Sequence, residues 1–233
     1  MEMKEWLSSI GIQLPEPELD ALERHAEKQL GTEYEMRWMS VQEQGQLLEA
    51  IASIPVYRDL LPLWENSGGD YIAIYRSGPL DGKICVMSHE ETDLTPRWRN
   101  VISLLERMDA DPEGEWRDWT FDYPTPEDSP GEQLEGDRET VEQLWPLWKQ
   151  EDDEDIRCQT AFAIVGLTPK ADLAQLLVLL EDEDMYVQER ACERLGEEHF
   201  TAAEEPLREL ARNGVSNAKN AAARALAGMN MRP

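Results

Sequence analysis

Positive charge is scarce in this sequence. Only 22 lysines and arginines stand against 49 aspartates and glutamates in 233 residues, which leaves a formal charge of −27 and a pI of about 4.3. A protein that neutralises phosphates needs an excess of basic side chains, so neither a nucleic acid nor an anionic membrane is expected as a partner. Cysteine and histidine are scarce too, with three of each. Cys85, Cys158 and Cys192 are far apart and sit in apolar patterns, so they read as small buried hydrophobes in a reducing compartment, not as a disulfide framework. His25, His89 and His199 have no ligand-spaced histidine or cysteine beside them, which argues against zinc. No run approaches the roughly 18 apolar residues of a membrane span, and the N-terminus has no basic n-region followed by an apolar stretch. The expected location is the cytoplasm, and no cofactor is expected.

What is present begins with a hairpin. Tyr71–Tyr75 and residues 83–87 are short, β-branched and aromatic, and Ser77-Gly78-Pro79-Leu80-Asp81-Gly82 supplies the turn, with glycine where positive φ is needed. Helices are predicted around it. One covers about 18–30, with Leu19, Leu22, His25, Ala26 and Leu30 on a shared face. A second covers about 40–53, opened by a Ser40/Glu43 capping box, with Val41, Leu47, Leu48 and Ile51 as its buried stripe. A third covers about 98–108, with Val101, Leu104, Leu105 and Met108 at core spacing. Trp64, Tyr71 and Trp98 read first as core aromatics, with a shared groove as the alternative.

The segment 109–138 changes character. It mixes Pro112, Pro124, Pro126 and Pro130 with acidic residues and with Trp116, Trp119, Phe121 and Tyr123. It reads as an interdomain linker whose first half is docked, since a solvated linker gains nothing from four large rings. From residue 139 the chain repeats with a period of 31: Ile156, Val187 and Ala218, then Ala161, Cys192 and Ala223, then Ile164, Leu195 and Leu226. Each of these helices is preceded by another, giving three helical pairs over 139–233. No single pair can bury its stripe alone, so they are expected to stack as a solenoid.

Residues Leu61-Pro62-Leu63, Ser67-Gly68-Gly69-Asp70-Tyr71-Ile72-Ala73-Ile74 and Asp81-Gly82-Lys83-Ile84, with the turn Gly11-Ile12-Gln13-Leu14-Pro15, resemble the signature of the SUKH superfamily, the Smi/Knr-type immunity domains. The match covers 1–108 and departs from the family in offering only the separate Gly31 and Gly45 where a Gly-Gly pair is usual. The resemblance implies an α+β domain with a curved antiparallel sheet that acts by binding a toxin and not by catalysis. The second half is similar to compact HEAT-like repeats, also seen in phycocyanobilin-lyase relatives. That implies an all-α HEAT-like solenoid and a superhelical binding surface, without implying lyase activity.

The acidic runs Glu151-Asp152-Asp153-Glu154-Asp155 and Glu181-Asp182-Glu183-Asp184 lack the central glycine and closing glutamate of a calcium loop. They precede the second helix of two successive pairs, where carboxylates favour the positive end of the helix dipole. Stacked repeats would also align them into an anionic ridge. Ser67-Gly68-Gly69 has no phosphate-loop ending, and Ser88-His89-Glu90-Glu91 has no nucleophile elbow. The expectation is therefore a non-catalytic protein: an intracellular immunity protein that occludes a toxin, such as a basic nuclease, through an acidic surface. Glu65, Asp70 and Asp81 near the hairpin and Asp152, Asp153, Asp155, Asp182 and Asp184 on the ridge are the contact residues it names. The alternative is a general scaffold or regulatory adaptor with no toxin partner.

Overall fold

A computed structural model of the chain describes Leu7 and residues 14–230. The chain divides into two compact units, Met1–Tyr123 and Pro124–Pro233. Residues 11–13 of the N-terminal turn lie outside the described residues.

In the first unit, helix α1 (Glu16–Gln29) is followed by strand β1 (Arg37–Trp38), helix α2 (Val41–Ile51), strands β2 (Leu60–Glu65), β3 (Tyr71–Tyr75) and β4 (Ile84–Met87), and helix α3 (Val101–Ala110). The strands pair antiparallel in the order β1-β2-β3-β4. The hairpin between β3 and β4 closes with Tyr75 N donating to Lys83 O and Gly82 N donating to Tyr75 O. Gly78 and Gly82 hold φ of 72° and 77°, the left-handed region that the turn requires.

The sheet is not the curved one expected. It is an open, linear four-strand meander with a single register irregularity, between Pro62 and Trp64. Curling a sheet takes repeated bulges along long strands, and these strands are two to six residues long. Strand β2 itself is not evident from sequence, because Pro62 lacks the N–H that a central strand needs. Strand β1 pairs only with Trp64 and Glu65, so Pro62 lies on a free edge and costs no ladder bond.

Period-2 alternation sorts the sheet's two faces. Leu61, Leu63, Ile72, Ile74, Ile84 and Val86 join the main core with Leu19 and Leu22 of α1 and Val101, Leu104 and Met108 of α3. Ala73, Cys85 and Met87 face a smaller cluster with Leu60 and Leu94. Trp98, read above as helical, is instead extended and bridged to Ile84; α3 starts at Val101, capped by Asn100 accepting from Ser103 N. Trp116 and Trp119, from the segment read as a linker, belong to the main core. Trp64 and Trp98 are wholly buried and line no groove.

The second unit contains α4 (Gly131–Gln150), α5 (Glu154–Leu167), a 3₁₀ segment (Lys170–Glu181), α6 (Met185–Glu197), α7 (Glu204–Asn213) and α8 (Ser216–Asn230). The expected first helix of the second pair is thus a 3₁₀ segment. Leu173, Leu176 and Leu179 recur every third residue, and three residues per turn puts all three on one buried face. Helix α4 packs on α5, α5 on α6, the 3₁₀ segment on α6, and both α6 and α7 on α8. Helices α6 and α8 approach closely at Gly196, where a Cβ would stand 2.6 Å from the Cβ of Ala225. In α8 the buried stripe is Ala218, Ala221, Ala222, Ala225 and Met229, while Ala223 is exposed and Leu226 half-buried. The 31-residue register therefore carries burial at Val187/Ala218 and Ala191/Ala222 but not at Cys192/Ala223, since α8 is covered on a narrower side.

Helix α2 has the predicted capping box, with Glu43 N donating to Ser40 Oγ and Ser40 N to Glu43 Oε2. Its buried side differs from expectation. Val41 is exposed, Leu47, Leu48 and Ile51 are half-buried, and the one fully buried residue of the helix is Gln44, whose Oε1 and Nε2 both lack a partner. A buried amide without hydrogen bonds costs about 1–3 kcal/mol. Gln44→Leu is therefore expected to stabilise the first unit by about 1–2 kcal/mol, read from hydrogen exchange of the β2 and β3 amides; equal or faster exchange would contradict it.

Candidate functional site

The acidic residues fall into two groups once their partners are known. Asp153 is the N-cap of α5, accepting from Asp155 N and Ile156 N, and Asp184 is the N-cap of α6, accepting from Tyr186 N. Both caps stand immediately ahead of a helix whose free N–H groups they satisfy. Asp182 is buried: its Oδ2 takes the Arg157 guanidinium at 2.5 Å and its Oδ1 accepts from Asp184 N. The Arg157 guanidinium also stacks over the Trp148 ring at 5.1 Å. Of the five ridge residues named from sequence, only Asp152 and Asp155 are exposed. Glu154 and Glu183 are exposed beside them and were not named.

The hairpin residues divide the same way. Asp81 is exposed in the β3–β4 turn, and Glu65 on β2 is tied to Arg37, which also holds Glu43. Asp70 is not a surface residue: it is 1% exposed. Its Oδ1 accepts from His89 N at 3.1 Å and lies 2.8 Å from His89 Nδ1, while its Oδ2 accepts from Trp116 Nε1 at 2.8 Å. Burial alone would raise the carboxyl's pKa, but the hydrogen bonds from Trp116 and His89 outweigh it and hold it at about 2. Nothing in the Gly68-Gly69-Asp70 stretch announces this burial. The clue sequence did carry was the docked Trp116, whose indole N–H needs a buried acceptor.

The dyad of buried Asp70 and half-exposed His89 has the orientation of a carboxylate that positions an imidazole. The three thiols are free. Burial raises Cys85 well above the ordinary thiol range, and burial with nearby carboxylates raises Cys158 and Cys192 to about 12, so none is poised as a nucleophile. Among the described residues there is no group of three or more His, Cys, Asp or Glu that could hold a metal ion, and no helix long and apolar enough to cross a membrane.

The scarce bases are shared. Arg37 bridges Glu43 and Glu65; Arg157 bridges Asp182 and Glu183; Arg208 bridges Glu204 and Glu205. Arg224 likewise bridges Glu189 and Glu193, Arg138 bridges Glu135 and Asp172, and Lys170 bridges Glu127 and Glu198. Each of these six bases serves two acids within its own unit, while Lys28, Arg58 and Arg97 each pair with one. No family model, curated protein or solved structure matches the chain.

Two outcomes separate structural from surface acids. Asp182→Asn removes the charge that compensates Arg157 and is expected to cost about 3 kcal/mol in thermal unfolding, whereas Asp152→Asn and Asp155→Asn should each stay within about 0.5 kcal/mol. Equal losses at all three would contradict the division. For Asp70, a folded pKa below the ordinary carboxylate value means that its contribution is complete above about pH 4 and is lost as pH falls toward 2. The stability gap between wild type and Asp70→Asn should therefore shrink over that interval by at most about 2 kcal/mol; a gap that widens would be the wrong sign.

Proposed function

We propose that the chain is a non-catalytic protein-binding protein, a cytoplasmic immunity protein that neutralises a basic toxin domain through its acidic surface. The observation that carries this reading is the charge economy: 49 acids against 22 bases leave a net charge of −27, and several of the bases are already shared between two of the chain's own carboxylates, so the excess acids remain for an external cationic surface to meet. The residues offered to that partner are the exposed acids, namely Asp81 at the hairpin turn and Asp152, Asp155, Glu154 and Glu183 at the turns before α5 and α6. The resemblance of the first unit's motifs to SUKH immunity domains points the same way, and the three free thiols fit a reducing compartment.

The mechanism is electrostatic steering followed by occlusion. An anionic face raises the encounter rate with a cationic partner and competes with an anionic substrate for the same basic cleft. The test is to purify the tagged full chain from its native cells, identify the captured protein, and measure association with it by stopped flow. Between about 50 mM and about 500 mM salt the on-rate is expected to fall by tens-fold or more. An on-rate indifferent to salt would sink the steering mechanism, and capture of several neutral partners would favour a general adaptor.

A further inference from the structure

A groove of about 800 Å³ runs between the 3₁₀ segment and α7 in the second unit. Its apolar surface comes from Leu177, Val178, Leu210 and Val215, and its rim carries Glu181, Glu183, Glu205 and Glu209. Val178 and Val215 are 50% and 63% exposed, large apolar side chains that a helical unit has no internal reason to leave in water. The lining contains no lysine, arginine or histidine. Among the described residues Glu181 and Glu209 make no ion pair, while Glu183 and Glu205 are held by Arg157 and Arg208.

We propose that this groove is a docking site for a short amphipathic helix of the partner, with apolar side chains at helical spacing flanked by lysine or arginine. The proposal rests on the protein-binding reading and adds to it a second point of contact, which shares Glu183 with the turn before α6 and lies apart from Asp152, Glu154 and Asp155 at the turn before α5. Charge decides the occupant. An apolar floor alone would accept any hydrophobic segment, but the two unpaired carboxylates of Glu181 and Glu209, in a lining without a basic residue, disfavour acidic peptides, nucleic acids and anionic lipid surfaces. The groove is open, and the amide of Gln188 in its lining is already committed to Leu180 O and Asp182 O, so it offers a small ligand little enclosure. An amphipathic helix in a groove meets both requirements, its apolar side chains covering Val178 and Val215 and its basic side chains reaching the glutamates.

The experiment uses the full chain and two synthetic helical peptides of identical leucine pattern, one with lysine and one with glutamate at every polar position. Binding is measured by calorimetry, and the contact is located by hydrogen exchange. Two groove variants, Val178→Ser with Val215→Ser and Glu181→Lys with Glu209→Lys, change exposed or unpaired side chains and so leave folding intact. A third variant, Asp152→Lys with Asp155→Lys, changes the acidic turn instead. The lysine peptide is expected to protect residues 177–183 and 205–215 from exchange. Its affinity should drop about tenfold or more in both groove variants and much less in the turn variant. Protection at residues 152–155 instead, with affinity lost only in the turn variant, would overturn the groove while leaving the protein-binding reading standing. No binding, equal binding of the glutamate peptide, or a groove covered by a second copy of the chain in sedimentation would also overturn it. The protein-binding reading fails separately, if the chain captures no partner from its native cells.

Discussion

The first unit is organised around a buried carboxylate. Asp70 stands at the entry to β3, and its two oxygens collect hydrogen bonds from the loop after β4, through His89, and from the segment beyond α3, through Trp116. Three stretches that are distant in sequence are thereby fixed to one point at the end of the sheet. A carboxylate out of water is costly unless each oxygen is satisfied, and here both are. The depressed pKa records that the hydrogen bonds have outweighed burial. A second cluster ties α1 to the end of α3 in the same manner: Asp109 receives His25 Nδ1 at 2.9 Å, the Tyr34 hydroxyl at 2.9 Å and Lys28. Burial lowers the His25 pKa despite the neighbouring Asp109, so the ring stays neutral, accepting at Nε2 from Gln29.

The second unit uses the same device. Asp182 holds Arg157, Asp153 and Asp184 cap successive helices, and Asp137 takes the Thr125 hydroxyl at 2.6 Å. The recurrence of acids every 31 residues is therefore first a matter of helix starts. The turns before α5 and α6 expose backbone N–H groups at the positive end of a dipole, and there an aspartate meets both needs with one side chain. In these two turns the acids that face solvent are Asp152, Glu154 and Asp155 around the first cap and Glu181 and Glu183 around the buried Asp182.

How far the sequence was readable follows from the range of each interaction. The hairpin, its glycines, the Ser40/Glu43 box and the 31-residue spacing are local, and they are visible because a turn or a cap needs particular residues at fixed offsets. What could not be read depends on contacts across the fold. Asp70 looked like a surface acid because its partners lie 19 and 46 residues away. Pro62 hid β2 because its harmlessness depends on how short β1 is. The curved sheet came from family resemblance and gave way to strand lengths. Gln44 went unnoticed since nothing in a helical pattern marks an amide that will be buried without a partner.

The charge balance acquires a different meaning once these ties are counted. A net charge far from zero works against the compact state through self-repulsion, and a fold this acidic must offset that internally. It does so by stretching several of its cations over two carboxylates, as at Arg37, Arg138, Arg157, Arg208 and Arg224. Exposed pairs of this kind contribute little each, so they relieve repulsion more than they add stability. The remaining carboxylates are an unrelieved strain that a cationic partner would remove on binding. A surface of that kind attracts at long range but selects poorly, since any basic protein satisfies it. Selectivity requires a short-range feature, and the proposed groove between the 3₁₀ segment and α7, with Val178 and Val215 exposed beside glutamates, would supply one.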